Sequence, residues 1–144
     1  YPAVGADITA CIPPIPLPDA CCSHIFTSHL LEHLESADVD RAMGEIWRVL
    51  VPGGEAEIIV PYALGHGAWM DPTHKTFFVP ERFLYYTPHF HYLGYDLETR
   101  FQLESYEIIV DEQAMQHEVR VVLRKGAEGE KCQCRACQVG WSAQ

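Results

Sequence analysis

One stretch of the chain repeats apolar side chains every three or four positions, which is the period of an α-helix. Ser36 offers an N-cap before this stretch, and Asp38 in the first turn suits the helix dipole. Pro52, Gly53 and Gly54 follow, and we expect them to end the helix. The positions that form the apolar face are Val39, Ala42, Met43, Ile46, Trp47 and Leu50. The pattern therefore predicts one amphipathic helix that packs on a core.

Strand patterns lie on both sides of this helix. Residues 4–8 and 23–28 precede it, and 23–28 has the pattern of a short buried strand. Residues 55–60 follow the helix as another strand. Residues 100–110 and 115–124 are joined by a polar turn, and the second of them alternates as a half-buried strand does. The last two segments therefore predict a C-terminal hairpin.

Two shorter helical segments and a long loop complete the pattern. Residues 29–34 predict a helical turn, and Pro80 suits the first turn of a helix that runs to about Tyr86. Residues 62–78 form a loop of a length that is often functional. Strands that alternate with helices indicate an α/β fold with a mostly parallel sheet, and the hairpin adds an antiparallel edge.

Length and composition describe one globular domain. The chain has 144 residues, of which 48% are hydrophobic and 21% charged, enough for a core. Its net charge of −10 serves solubility and argues against nucleic acid as a partner, because phosphate contacts need cationic side chains. No apolar run is long enough to span a membrane and no secretory leader opens the chain, so we expect a cytoplasmic protein without membrane contact.

The apolar pattern stops after residue 125, and we therefore divide the chain into a domain at 1–125 and a tail at 126–144. Cys132, Cys134 and Cys137 place three thiols within six residues of this tail. Structural zinc takes four ligands, so a fourth would come from elsewhere. A flexible tail with reactive thiols is the alternative. For the six cysteines together, free thiols in a reducing compartment are favoured over a disulfide framework.

Three stretches resemble, in order and spacing, the C-terminal part of a class I S-adenosylmethionine-dependent methyltransferase. They are IPLPD at 15–19 before the strand at 23–28, LEHL at 31–34 with EIWRVLVPGG at 45–54, and DPTH at 71–74 with FF at 77–78 and PERF at 80–83. The resemblance covers about 4–125. It implies a partial Rossmann-like methyltransferase sheet and methyl transfer from S-adenosylmethionine to a small-molecule acceptor.

The resemblance also assigns cofactor contacts. Asp7 matches the acidic residue that usually meets the adenine, with Ile8 beside it, although a turn role for Asp7 stays open. Ser28 and His29 match the segment that passes the methyl-bearing sulfonium. The glycine-rich cofactor loop of the family has no counterpart in the sequence. We therefore expect a fragment of the fold, incomplete and inactive alone, and a homodimer or a partner chain that covers the open sheet edge at 23–28.

Residues 29–33 read H-x-x-E-H, and side chains spaced three and four apart share one face of a helical turn. The pattern resembles the E-x-x-E-H of class I methyltransferases that bind a divalent metal, such as ubiquinone-pathway O-methyltransferases and small-RNA 2′-O-methyltransferases. His29 replaces the first glutamate, Glu32 and His33 match, and His74 fits a later histidine of the RNA enzymes. Three imidazoles and one carboxylate suit zinc, iron, nickel or manganese better than magnesium.

Two alternatives to this metal site stay open. Inverted zinc peptidases share H-x-x-E-H, but the surrounding stretches are those of a methyltransferase. The histidines could also form ordinary hydrogen bonds within the fold. Asp71 and His74 lie where substrate-facing loops occur in the family, and we interpret them as catalytic candidates, with His74 as a proton acceptor. A non-catalytic metal-binding or assembly module that keeps half of the fold is the alternative function.

Overall fold

The computed structural model describes residues 10–89, 99–111 and 116–127. In chain order the elements are β1 (Cys22–Ser28), a 3₁₀ turn (Leu31–His33), α1 (Ser36–Val49), β2 (Leu50–Pro61), α2 (Gly67–Met70), a 3₁₀ helix (Pro80–Tyr86), β3 (Phe101–Asp111) and β4 (Gln116–Lys125). The predicted strand at 4–8 lies outside the described residues, as do the candidate site residues Asp7, Ile8, Cys132, Cys134 and Cys137. None of the described helices is long and apolar enough to cross a membrane.

The strands form one four-stranded sheet with the order β1-β2-β4-β3. β1 and β2 are parallel and are connected by α1, whereas β4 is antiparallel to both of its neighbours, β2 and β3. The C-terminal hairpin is confirmed, but the prediction of a mostly parallel sheet is wrong. The reason is that β4 turns back from β3 and enters the sheet between β2 and β3, so two of the three pairings become antiparallel.

The predicted helix is confirmed, but its two ends differ from the prediction. Ser36 is the first helical residue, and no side chain caps the helix N-terminus. The helix ends at Val49 rather than at the Pro-Gly-Gly sequence, which lies within β2. Leu50 already has extended backbone and pairs with Cys22 of β1, so sheet pairing ends the helix early. Gly53 has a φ of +81°, which an L side chain rarely adopts.

The core lies between α1, the 3₁₀ helix and one face of the sheet. Its fully buried members include Val39, Met43, Ile46, Ile58, Val60, Phe78, Phe83, Val119, Val121 and Leu123. The opposite face of the sheet carries ion pairs instead, in which Arg120 bonds Glu57 and Glu107. β1 is not the buried strand that the sequence predicted, because Phe26 is 56% exposed. Among the described residues, β1 has only one neighbouring strand, β2.

Candidate functional site

The carboxyl ends of the two parallel strands meet at one edge of the sheet. β1 ends at Ser28 and β2 at Pro61, and the N–H of His29 extends the pairing by donating to the carbonyl of Ile59 over 3.0 Å. His29 has a φ of +52°, a strained conformation for a non-glycine residue. Both features mark this edge, because open α/β sheets bind ligands at the carboxyl ends of their strands.

Backbone hydrogen bonds fasten the loop after α2 to the 3₁₀ turn. The N–H groups of Lys75 and Thr76 donate to the carbonyl of Glu32 over 2.7 and 3.1 Å. The Thr76 hydroxyl donates to the carbonyl of Leu34 over 2.7 Å. As a result the His74 ring packs against the His33 ring, with the ring centroids 4.9 Å apart.

Glu32 is a buried carboxylate to which no residue in the described part of the chain donates a hydrogen bond. Its side chain is 1% exposed, and neither carboxylate oxygen accepts a hydrogen bond from any described residue. His29 Nδ1 lies 3.2 Å from Glu32 Oε1, within ion-pair range but outside hydrogen-bond geometry. Buried polar groups normally have partners because an unpaired one costs free energy, and the oxygens of this carboxylate are of the kind that a cation could satisfy.

Three of the four residues predicted as metal ligands at this turn come together. Glu32, His33 and His74 each offer one ligand atom, and these atoms all lie within 4.8 Å of one another. His29 is not in this group: its Nδ1 lies beside Glu32, but its Nε2 lies 3.0 Å from Glu118 Oε1. His33 Nε2 lies 4.0 Å from Glu32 Oε1, so a modest closure would place both on one ion. Two imidazoles and one carboxylate form a donor set that suits zinc or iron.

The two histidines of this cluster are held through their Nδ1 atoms. His74 Nδ1 lies 2.8 Å from the carbonyl oxygen of Ala68, and His33 Nδ1 lies 3.0 Å from the Thr73 hydroxyl. Asp71 Oδ1 accepts from both the hydroxyl and the N–H of Thr73, over 2.6 and 2.8 Å. These bonds hold the pKa of Asp71 below its ordinary value. Asp71 is therefore an ionised carboxylate engaged by its own loop.

A cavity of about 280 Å³ adjoins the cluster and shares His74 with it. Its lining residues are His29, Pro61, Gly67, Met70, Asp71, His74, Gln116, His117 and Glu118. Gly65 packs behind this wall, where an added Cβ would lie 2.5 Å from His117 Cβ. The sequence did not indicate His117 or Glu118, because only the insertion of β4 beside β2 brings them to this edge.

A larger cavity, of about 770 Å³, lies near the C-terminal end of α1. Its cationic side chains already have partners: Arg48 bonds Asp19 and Glu45, and Lys125 donates to the carbonyls of Trp47 and Leu50. Burial lowers the pKa of Lys125. Because these charges serve to join α1 to its neighbours, the smaller cavity beside Glu32 is the better candidate site.

Comparison with known proteins places the chain among proteins of similar sequence and fold. Residues 3–58 match the model of a family described as a methyltransferase domain. A putative methyltransferase from Bacillus halodurans has a similar structure, with a TM-score of 0.56 and 12% identity over 78% of this chain and 74% of that one. No curated protein matches the chain in sequence.

Two further structures extend the likeness. A SAM-dependent methyltransferase from Archaeoglobus fulgidus gives a TM-score of 0.51 and 17% identity over 76% of this chain and 62% of that one. The cyclase SpnF has a similar structure, with a TM-score of 0.55 and 17% identity over 78% of this chain. The chain spans 62% and 53% of the lengths of these two proteins. At such identities the likeness concerns the fold.

The sequence match and the structural likeness point to the same class of protein. Residues 3–58 match the methyltransferase-domain family, and the described part of the chain has a partial methyltransferase-like fold, similar to that of solved methyltransferases. Ser28 and His29, which the resemblance assigned to the cofactor, lie at the end of β1. Their role toward the cofactor stays a prediction, as do the catalytic roles of Asp71 and His74.

Proposed function

We propose that the chain supports methyl transfer from S-adenosylmethionine to a small acceptor, and that a divalent metal bound by Glu32, His33 and His74 holds that acceptor. The buried carboxylate of Glu32, to which no described residue donates a hydrogen bond, is the observation that carries the metal part. The cavity beside His74 supplies space for the acceptor. A divalent metal would supply Lewis acidity that lowers the pKa of an acceptor hydroxyl.

The residues around this metal site have separate tasks in the proposal. Glu32 contributes a negative charge from a water-excluded position, where its attraction to a cation is strong. His33 and His74 contribute neutral nitrogens that are already oriented by the fold. His29 sits between Glu32 and Glu118 and forms the boundary between the cluster and the cavity. The arrangement favours positioning of the acceptor over a dedicated general base.

Metal analysis of dialysed protein tests this site. We expect about one equivalent of zinc or iron per chain in the unchanged protein. Glu32→Gln and His33→Ala should both lose it, whereas Glu35→Gln, which changes an exposed carboxylate three positions from Glu32, should retain it. Equal metal content in all four proteins would contradict the site.

Calorimetry with S-adenosylhomocysteine separates the two functions that the sequence left open. Binding would support a methyltransferase whose cofactor site involves Ser28 and His29. An absence of binding, with metal retained, would favour the non-catalytic metal-binding or assembly module. The same measurement on Ser28→Pro, which removes a backbone donor at the end of β1, should weaken the binding because the family binds its cofactor mainly through backbone there.

We further propose that a second copy of the chain or another protein pairs along the free edge of β1. The exposed Phe26 and the single paired neighbour of β1 among the described residues support this proposal. A strand with an unpaired edge presents backbone donors and acceptors that recruit further strands.

A further inference from the structure

The hydrogen bond behind His74 determines which ring nitrogen it presents to the cluster. A backbone carbonyl oxygen can only accept, so the 2.8 Å contact with Ala68 requires the proton on His74 Nδ1. Nε2 then keeps its lone pair. The ring is only 8% exposed, and this single bond therefore fixes it in the tautomer that a metal needs.

A chain of two hydrogen bonds does the same for His33. Asp71 Oδ1 can only accept, and it takes the single hydroxyl hydrogen of Thr73 over 2.6 Å. The Thr73 oxygen, 3.0 Å from His33 Nδ1, is therefore left as an acceptor. His33 must donate from Nδ1, and its Nε2 lone pair is free to face Glu32.

We propose that Thr73 is a positioning residue for the metal site, and that Asp71 acts through Thr73 rather than on the acceptor. This inference rests on the metal site of the proposed function. It reassigns Asp71, which the sequence suggested as catalytic, to the end of a chain that orients His33. Without the Thr73 hydroxyl, the half-exposed His33 ring can rotate or take the other tautomer, which presents an N–H to the ion.

Cobalt(II) is a suitable probe, because its visible absorbance reports ligand number and its titration gives affinity. Thr73→Val removes the hydroxyl but keeps the shape of the side chain. We expect the cobalt affinity to fall roughly 10- to 100-fold, as is typical when a residue that hydrogen-bonds a metal ligand is replaced. Thr73→Ser restores the hydroxyl and should bind as the unchanged protein does. Thr27→Val is the matched control, because the Thr27 hydroxyl has no hydrogen-bond partner among the described residues.

Proton NMR of the cobalt-loaded protein distinguishes a loss of His33 orientation from a general structural effect of the Thr73 substitution. The unchanged protein should give two shifted, exchangeable signals from the Nδ1–H groups of His33 and His74. Thr73→Val should lose only the His33 signal, and Thr73→Ser should keep both. Equal cobalt affinity for Thr73→Val and the unchanged protein would overturn the role of Thr73 alone. Failure of the unchanged protein to bind cobalt would overturn the metal site as well.

Discussion

At the scale of single residues, we expect the buried carboxylate of Glu32 to destabilise the fold when no cation is bound. Its carboxylate is buried with neither oxygen hydrogen-bonded to a described residue. In the presence of a chelator, Glu32→Gln should therefore raise the free energy of unfolding by about 1 kcal/mol, because an amide is cheaper to bury than a charge. Urea unfolding measures this difference.

When zinc is added, the unchanged protein should become more stable than Glu32→Gln, which is the reverse of the order expected with a chelator. The unchanged protein gains stability from a ligand that binds only the folded state, whereas Glu32→Gln gains little. Glu35→Gln, an exposed carboxylate paired with Lys75, should change stability by less than about 0.5 kcal/mol in either condition. A large loss of stability for Glu32→Gln with chelator present would show that the carboxylate supports the metal-free fold.

Tyr86 provides a second test, of pH dependence. It is 1% exposed and donates to Asp40 Oδ1 over 2.7 Å, and burial, followed by this bond, raises the pKa of its phenol. A raised pKa favours the protonated folded state, so the contribution of Tyr86 is complete below the ordinary value of 10 and is lost as pH rises above it. Tyr86→Phe should lower the free energy of unfolding by about 1 kcal/mol at neutral pH.

The difference in the free energy of unfolding between Tyr86→Phe and the unchanged protein should become smaller as pH rises above 10. The reason is that only the unchanged protein has this phenol to ionise. Chemical unfolding at several pH values measures this difference. Tyr106→Phe, at a phenol that is largely exposed, should show neither effect. A difference that stays constant to high pH would contradict the assignment of the bond.

The sequence could predict the histidines and Glu32 as a group, because all but His74 lie within one turn of a recognisable motif. It could not predict the roles of Thr73 and Glu118. Thr73 acts through the hydrogen bonds of a loop that backbone contacts to Glu32 fold against the turn. Glu118 reaches His29 only because β4 lies beside β2. Spacing along the chain contains neither fact.

At the scale of elements, the sequence predicted which segments are strands and helices better than how they end or where they lie. The helical period of α1 continues through Leu50, yet Leu50 belongs to β2 because it pairs with Cys22. The sequence of residues 23–28 suggested a buried strand, but Phe26 in β1 is 56% exposed. Both differences arise from pairing between distant segments, which a local period does not encode.

The segment before β1 is held to α1 by several hydrogen bonds, three of which come from the Arg48 side chain. Arg48 of α1 donates to the carbonyls of Ile15 and Leu17 over 2.9 and 2.8 Å and also bonds Asp19 and Glu45. The bonds to Glu45 and Asp19 raise the pKa of Arg48 above its ordinary value, so it stays charged. Lysine cannot make this forked set of bonds. Arg48→Lys should therefore speed hydrogen exchange at the amides of Ile15 and Leu17 severalfold, measured by mass spectrometry or NMR.

The matched variant is Arg41→Lys. Arg41 lies on the same helix, but among the described residues it pairs only with Asp38, one turn away. The Arg41→Lys substitution should leave amide hydrogen exchange in the segment 12–21 unchanged. Similar acceleration in both variants would mean that loss of an arginine from α1 loosens the segment in general, rather than through the bonds to its carbonyls.

At the scale of the whole molecule, the α/β fold class could be predicted from the sequence, whereas the relative directions of the paired strands could not. The alternation of β1, α1 and β2 gives one parallel pairing, as the sequence indicated. β2 and β3 also run in the same direction, since each is antiparallel to β4. β4 lies between them, and this position depends on the long-range pairing of β4 with β2 over seven residue pairs.

The edge of β1 that no described strand covers leads to a prediction about assembly. If a second copy pairs there, light scattering should give a mass above that of one chain, 16.3 kDa, at concentrations of tens of micromolar. Phe26→Lys should shift the protein toward the monomer, because a charged side chain on an edge strand opposes pairing. Leu64→Lys changes a more exposed apolar residue in the turn after β2 and should leave the mass unchanged. The mass of a single chain at every concentration would exclude self-association and leave another protein as the partner, whereas equal shifts in both variants would mean that association depends on surface hydrophobicity in general.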